Sequence, residues 1–195
     1  MVGGWEAYAG VALRDCMWYS LEILPSDAPW FYAAGKGSKL IAAAELIATT
    51  ICVTLFAPKT RENAIGTLDV TSAFTDNRGN TYAAAKLHST KFPLSCVVME
   101  LASQLESRGM WLDLRWTPRE SNKYADALTN GDFKEFSSGL RLASSWSDVG
   151  FLVLPRLLEV GTQLKDQTAA LRAEAPKRKQ RKTNRQDRLR ITDPW

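Results

Sequence analysis

Apolar and polar positions alternate loosely over residues 4–14. They alternate again over 16–24, where Trp18, Tyr19, Leu21, Ile23 and Leu24 crowd together. A period of two is that of a strand half buried against a core, so both stretches predict strands. Pro25-Ser26-Asp27 reads as a turn, and Gly35-Lys36-Gly37-Ser38 as a break, with Ser38 placed to cap a helix. The pattern then changes. Residues 39–55 are rich in Ala, Leu and Ile, contain no Gly or Pro, and are too long for a strand. They predict a buried helix that Ala57-Pro58 ends. β-Branched residues return over 65–75 and predict a third strand, with a helix over about 80–88. Leu94, Val97, Val98, Leu101 and Leu105 recur at helical spacing. They predict a helix from Pro93 to Ser107 that Arg108-Gly109 closes. Residues 110–116 alternate as a fourth strand, and Asn122 caps a short helix reaching Thr129. A last helical stretch falls within 151–174, interrupted by Pro155 and Gly161. This order predicts an α/β fold, a mixed sheet flanked by helices.

Composition changes the picture little. A chain of 195 residues, 45% hydrophobic and 24% charged, can bury a real core. Cys16, Cys52 and Cys96 are odd in number and widely spaced, which argues against a disulfide framework and a cysteine zinc site. One histidine, His88, excludes a His-rich metal site. Gly3-Gly4-Trp5-Glu6 interrupts any apolar run that could act as a secretory signal. Residues 40–57 are apolar enough to raise a membrane span, but Glu45 sits among them and a carboxylate in a span is costly. The chain is therefore expected inside the cell, in cytoplasm or nucleus, without a membrane.

Charge matters more. The net charge is +4, yet Lys177, Arg178, Lys179, Arg181, Lys182, Arg185, Arg188 and Arg190 stand in one run against the single acid Asp187. The body is mildly acidic and the tail strongly basic. Residues 176–195 read as a disordered arm suited to phosphate backbones by charge alone. A merely solvated tail or a nuclear address is the rival reading. The run carries no aromatic side chain to stack on bases.

Three carboxylates stand where they are costly unless used. Glu45 lies mid-helix, and the positions three and four away are Ile41, Ala42, Ala48 and Thr49, none basic. Asp76 ends the third strand. Asp126 lies one turn into the helix that Asn122 opens. Each has an ordinary reading alone: Glu45 reaching solvent, Asp76 capping a helix, Asp126 on the surface. Converging, they would suit a hard divalent cation with oxygen ligands.

The stretch Trp116-Thr117-Pro118-Arg119-Glu120-Ser121-Asn122-Lys123-Tyr124-Ala125-Asp126-Ala127-Leu128 resembles the signature of retroelement ribonuclease H domains, in which a strand ending in W-x-P-R precedes N-x-x-A-D-A-L on a helix. Thr75-Asp76-Asn77 at a strand end, with Glu45 in the preceding helix, extends the resemblance over residues 3–130. It implies a ribonuclease H-like fold over residues 1–135, with a partly helical extension over 136–175 before the tail. It also implies hydrolysis of the RNA strand of an RNA–DNA hybrid with two Mg²⁺ (or Mn²⁺) ions about 4 Å apart. Glu45, Asp76 and Asp126 would be the metal ligands. Asn77, Arg119 and Asn122 would lie along the substrate backbone. A reverse transcriptase domain in a longer polyprotein is the implied partner.

The chain departs from that family in two places. The family's opening strand, with its own aspartate, precedes a Gly-Gly-aromatic step. Here that step is Gly3-Gly4-Trp5, so the opening strand is expected to be missing and the activity impaired. Asp15 and Asp69 are poor substitutes. Trp116 stands where cellular members carry a histidine. The alternative expectation is a non-catalytic nucleic-acid-binding module on the same fold.

Overall fold

The computed structural model describes residues 1–7, 9–29, 37–57, 69–143 and 145–174. The chain divides into one unit over Met1–Thr162 and a second over Gln163–Trp195. The described part of the second unit, residues 163–174, is helical. The basic residues Lys177 to Arg190, and the disorder expected of them, lie outside the described residues.

The first unit is mixed α/β. Strands β1 (Val2–Trp5) and β2 (Trp18–Leu21) pair antiparallel, with Trp5 opposite Trp18. Helix α1 spans Gly37–Phe56. Strand β3 (Asp69–Thr75) is followed by helices α2 (Arg78–Lys86) and α3 (Leu94–Arg108). Strand β4 (Met110–Trp116) pairs parallel to β3, Asp69 opposite Met110 and Thr75 opposite Trp116. Helix α4 spans Lys123–Thr129 and α5 spans Leu154–Glu174. No helix among the described residues is long and apolar enough to cross a membrane.

Where the sequence led one to expect a single mixed sheet, the described residues form two separate two-stranded sheets, β1–β2 and β3–β4. The first two strands are also far shorter than the alternation suggested. Residues 13–15 form a 3-10 turn, and the described ladder between the two strands runs only from Val2 to Trp5, with one further bond from the Glu6 amide to the Met17 carbonyl. The third strand is described from Asp69, and residues 65–68 of the expected strand lie outside the described residues. Helix α1 is described from Gly37, so Ser38 falls inside it rather than at its cap.

Elsewhere the pattern and the fold agree. The α3 stripe is buried as its spacing demands, with Val97, Val98, Leu101 and Leu105 all in the core beside Leu46, Ile47 and Ile51 of α1. Pro93 stands just before the first turn, and Gly109 takes the left-handed conformation that ends the helix, φ +60°.

Two glycines explain how β1 fits. Successive strand residues face opposite sides. A Cβ on Gly3 would lie 2.6 Å from Leu128 Cβ of α4, and one on Gly4 would lie 2.5 Å from Cys52 Sγ of α1. The strand is thus clasped between two helices that approach too closely for any side chain. Tyr19 donates its hydroxyl to the Ala48 carbonyl of α1 at 2.6 Å, and Ser20 donates to the Leu128 carbonyl of α4 at 2.9 Å. These bonds hold both helices to the β1–β2 pair.

The segment after Asp132 also packs into this unit. Phe136 joins a cluster with Trp18 and Leu128. Leu142 donates its amide to the Trp18 carbonyl along the outer edge of β2. Ala143, Val149, Leu154 and Leu158 enter the main core. Glu100, fully buried on α3, receives the backbone N–H groups of Leu152, Val153 and Leu154 at 2.9, 2.7 and 2.7 Å. Gln104 donates to the same carboxylate at 2.7 Å, and Arg108 donates in turn to the Gln104 side chain. Glu100 lies outside the stripe of Leu94, Val97, Val98, Leu101 and Leu105, and nothing in the spacing shows that a carboxylate there receives the start of α5.

Candidate functional site

The three carboxylates come from three different elements. Glu45 is half-buried on α1, Asp76 follows the last residue of β3, and Asp126 sits in the first turn of α4. Local chemistry sets each one. Thr75 is buried, and its hydroxyl accepts the backbone N–H of Asn77 at 3.2 Å, turning the chain sharply out of β3. Asn77 then caps α2, its Oδ1 accepting the Asn80 N–H at 3.3 Å. The other end of the same amide donates to Glu45 Oε2 at 2.5 Å. Asn80 is buried and donates to the Ala42 carbonyl of α1 at 3.0 Å, about one turn before Glu45. Strand β3, the start of α2 and the middle of α1 are therefore bolted together around Glu45.

Asp126 pairs with Arg119 Nε at 3.5 Å. Both side chains are substantially exposed, so the pair adds little stability. Its effect is to hold Arg119 over the site. Asn122 occupies the cap position of α4, but its side chain makes no capping hydrogen bond, contrary to expectation. Asn122 lines the cavity. Trp116 donates its indole N–H to the Asp76 carbonyl at 3.1 Å, and the Arg78 guanidinium lies 4.1 Å from the Trp116 ring centre. These two contacts went unforeseen, because an Arg at a helix start and a Trp at a strand end have no sequence spacing in common.

Glu45, Asp76, Arg119, Asn122 and Asp126 all line one cavity of about 640 Å³. Asn77 stands behind it and reaches it through Glu45. Burial pushes the Glu45 carboxyl above the usual carboxylate range. The Asn77 hydrogen bond and the Arg119 charge pull it back, while the neighbouring charges of Asp76 and Asp126 push it up further. Like charges therefore meet here with only partial compensation.

Three carboxylates form an all-oxygen donor set of the kind hard divalent cations take. Glu45, Asp76 and Asp126 are the residues that could supply it. Among the described residues, however, no three His, Cys, Asp or Glu side chains are grouped closely enough to make a ready metal site. Glu45 is turned toward Asn77 and Asp126 toward Arg119, so the site fits a cation in donor chemistry but not yet in spacing. Cys16, Cys52 and Cys96 carry no disulfide and take no part in the acidic cluster.

Comparison of the chain with protein-family models, with curated proteins and with solved structures returned no match.

Proposed function

We propose that this chain is a ribonuclease H-like domain of a retroelement, and that its acidic cleft engages the backbone of an RNA–DNA hybrid. The observation that carries this reading is the convergence of Glu45, Asp76 and Asp126, from α1, the end of β3 and α4, on one cavity with Arg119 and Asn122 beside them. Acids so far apart in sequence gain nothing structural from meeting, since each repels the others. A common cationic ligand gives the arrangement a use.

In this reading Glu45, Asp76 and Asp126 hold Mg²⁺ or Mn²⁺. When bound, the ions activate water and stabilise the leaving oxygen of a phosphodiester. The protein's own part is placement. Asn77 orients Glu45. Arg119, with 77% of its side chain exposed, is free to swing from Asp126 to a phosphate. Asn122 presents an uncommitted amide to the backbone. The basic residues from Lys177 to Arg190 add affinity without base preference. A reverse transcriptase domain is the proposed neighbour in a longer polyprotein.

One observation favours the second reading, a nucleic-acid-binding module with impaired or no catalysis: Glu45 and Asp126 are already engaged by Asn77 and Arg119. The test is cleavage of a labelled RNA–DNA hybrid with Mg²⁺ or Mn²⁺, by the chain and by Asp76→Asn and Asp126→Asn. Cleavage by the parent, lost in both variants with their circular dichroism unchanged, supports the nuclease. Hybrid binding without cleavage supports the module. Neither binding nor cleavage sinks both.

A further inference from the structure

Strands β3 and β4 leave open what a parallel sheet ordinarily hides. Their inner face, with Ala73, Met110, Leu112 and Leu114, packs into the core. Alternate residues share a face, so the outer one carries Val70, Ser72 and Phe74 of β3 beside Trp111, Asp113 and Arg115 of β4. Val70 is 61% exposed, Phe74 62% and Trp111 40%. Parallel strands are as a rule covered on both faces, and a contiguous apolar patch left open marks a contact surface.

The register of the two strands says what fits there. Val70 stands opposite Trp111, Ser72 opposite Asp113 and Phe74 opposite Arg115. Each pair joins unlike and complementary groups: an aliphatic with an aromatic, a hydroxyl with a carboxylate, a ring with a guanidinium. A second copy, turned about a two-fold axis running along the strands, lays β3 over the partner's β4 at the same level. Val70 then meets the partner's Trp111, the Ser72 hydroxyl donates to the partner's Asp113, and Arg115 covers the ring of the partner's Phe74. Every contact occurs twice, and no residue is set directly over its own copy, so like charges are not opposed. Within one chain Arg115 already pairs with Asp113 at 2.6 Å, so the six side chains carry no net charge. A phosphate backbone gains nothing from a neutral face, which favours a second copy over a nucleic acid stacked on Phe74 and Trp111.

We propose that the chain self-associates through the outer face of β3–β4, as a symmetric dimer with the two sheets aligned face to face. Aromatic side chains offer about 150–250 Å² each when fully covered, so these six partly exposed side chains bring roughly 500 Å² per copy. The pair buries about 1,000 Å², the lower end for a specific interface, and the dimer is therefore weak and reversible.

The test is sedimentation velocity of the full chain, free of nucleic acid and in EDTA, from about 5 µM to about 1 mM. Expected is a monomer–dimer equilibrium with a Kd of about 10–100 µM. Trp111→Asp and Arg115→Glu each set a carboxylate against the partner's apolar or acidic groups. Each should weaken association at least about tenfold, with circular dichroism unchanged. The parent gives a second reading without any variant. As its concentration rises, NMR shifts should move at the Trp111 indole N–H, the Arg115 side-chain N–H and the Val70 methyl groups. Should a variant unfold, those shifts still decide. A monomer throughout, growth beyond a dimer, association unmoved by both variants, or shifts confined to other residues overturns the proposal. Neither ion nor hybrid takes part, so this test and the cleavage assay fail independently.

Discussion

Replacing Glu45 by Gln tests the electrostatics of the cleft directly. The amide oxygen of Gln can still accept the Asn77 N–H, so the bond that ties α1 to the start of α2 survives. What disappears is a charge that burial and the neighbours Asp76 and Asp126 disfavour. The folded protein binds the Glu45 proton more tightly than the unfolded chain does. Stability from this group is therefore complete below the unfolded carboxylate value, about 4.3, and is lost as pH rises through the higher folded value. As pH rises the parent takes on the penalty of the charged form, which the variant never carries. In EDTA at pH 7, Glu45→Gln should thus raise the melting temperature, each kcal/mol of relief being worth about 2–4 °C in a chain of this size. At pH 4 the gap should close. Thermal unfolding by circular dichroism at pH 4, 5, 6 and 7 reads both. A variant less stable than the parent at pH 7, or a gap that does not change with pH, refutes this account. Addition of Mg²⁺ should then stabilise the parent and not the variant if the acids share an ion.

Removing the Glu100 carboxylate with Ala strands three N–H groups leading into α5, that of Leu154 fully buried, and should cost about 3–5 kcal/mol in urea unfolding. A loss below about 1 kcal/mol would mean water takes its place. Gly4→Ala drives a methyl into Cys52 Sγ and should cost about 1–3 kcal/mol, part of it recovered by Cys52→Ala in the same chain. Additive effects in that double variant would show that the contact is not the cause. Deleting residues 177–195 should weaken hybrid binding strongly at low salt and little at high salt, and a difference independent of salt would remove the electrostatic role of the tail.

Much was legible locally. The α3 stripe predicted a helix correct to within a residue at each end, because a one-sided apolar period needs no distant partner to be recognised. Strand β4 and helix α4 come from alternation and from the Asn122 boundary in the same way. The acids were legible as misfits: a carboxylate in an Ala-rich helix and two at element ends.

The sequence by itself determined the kinds and order of elements, the basic run, and which acids had no local partner, since these depend on spacing along one segment. Only the tertiary structure decided that Glu45 meets Asn77 and shares a cavity with Asp76 and Asp126, that Glu100 receives the start of α5, and that the sheet divides in two. The physical reason is common to all three. Helical and strand periods are written in neighbouring residues, whereas strand pairing, opposing edges and the compensation of a buried charge depend on groups tens of residues away.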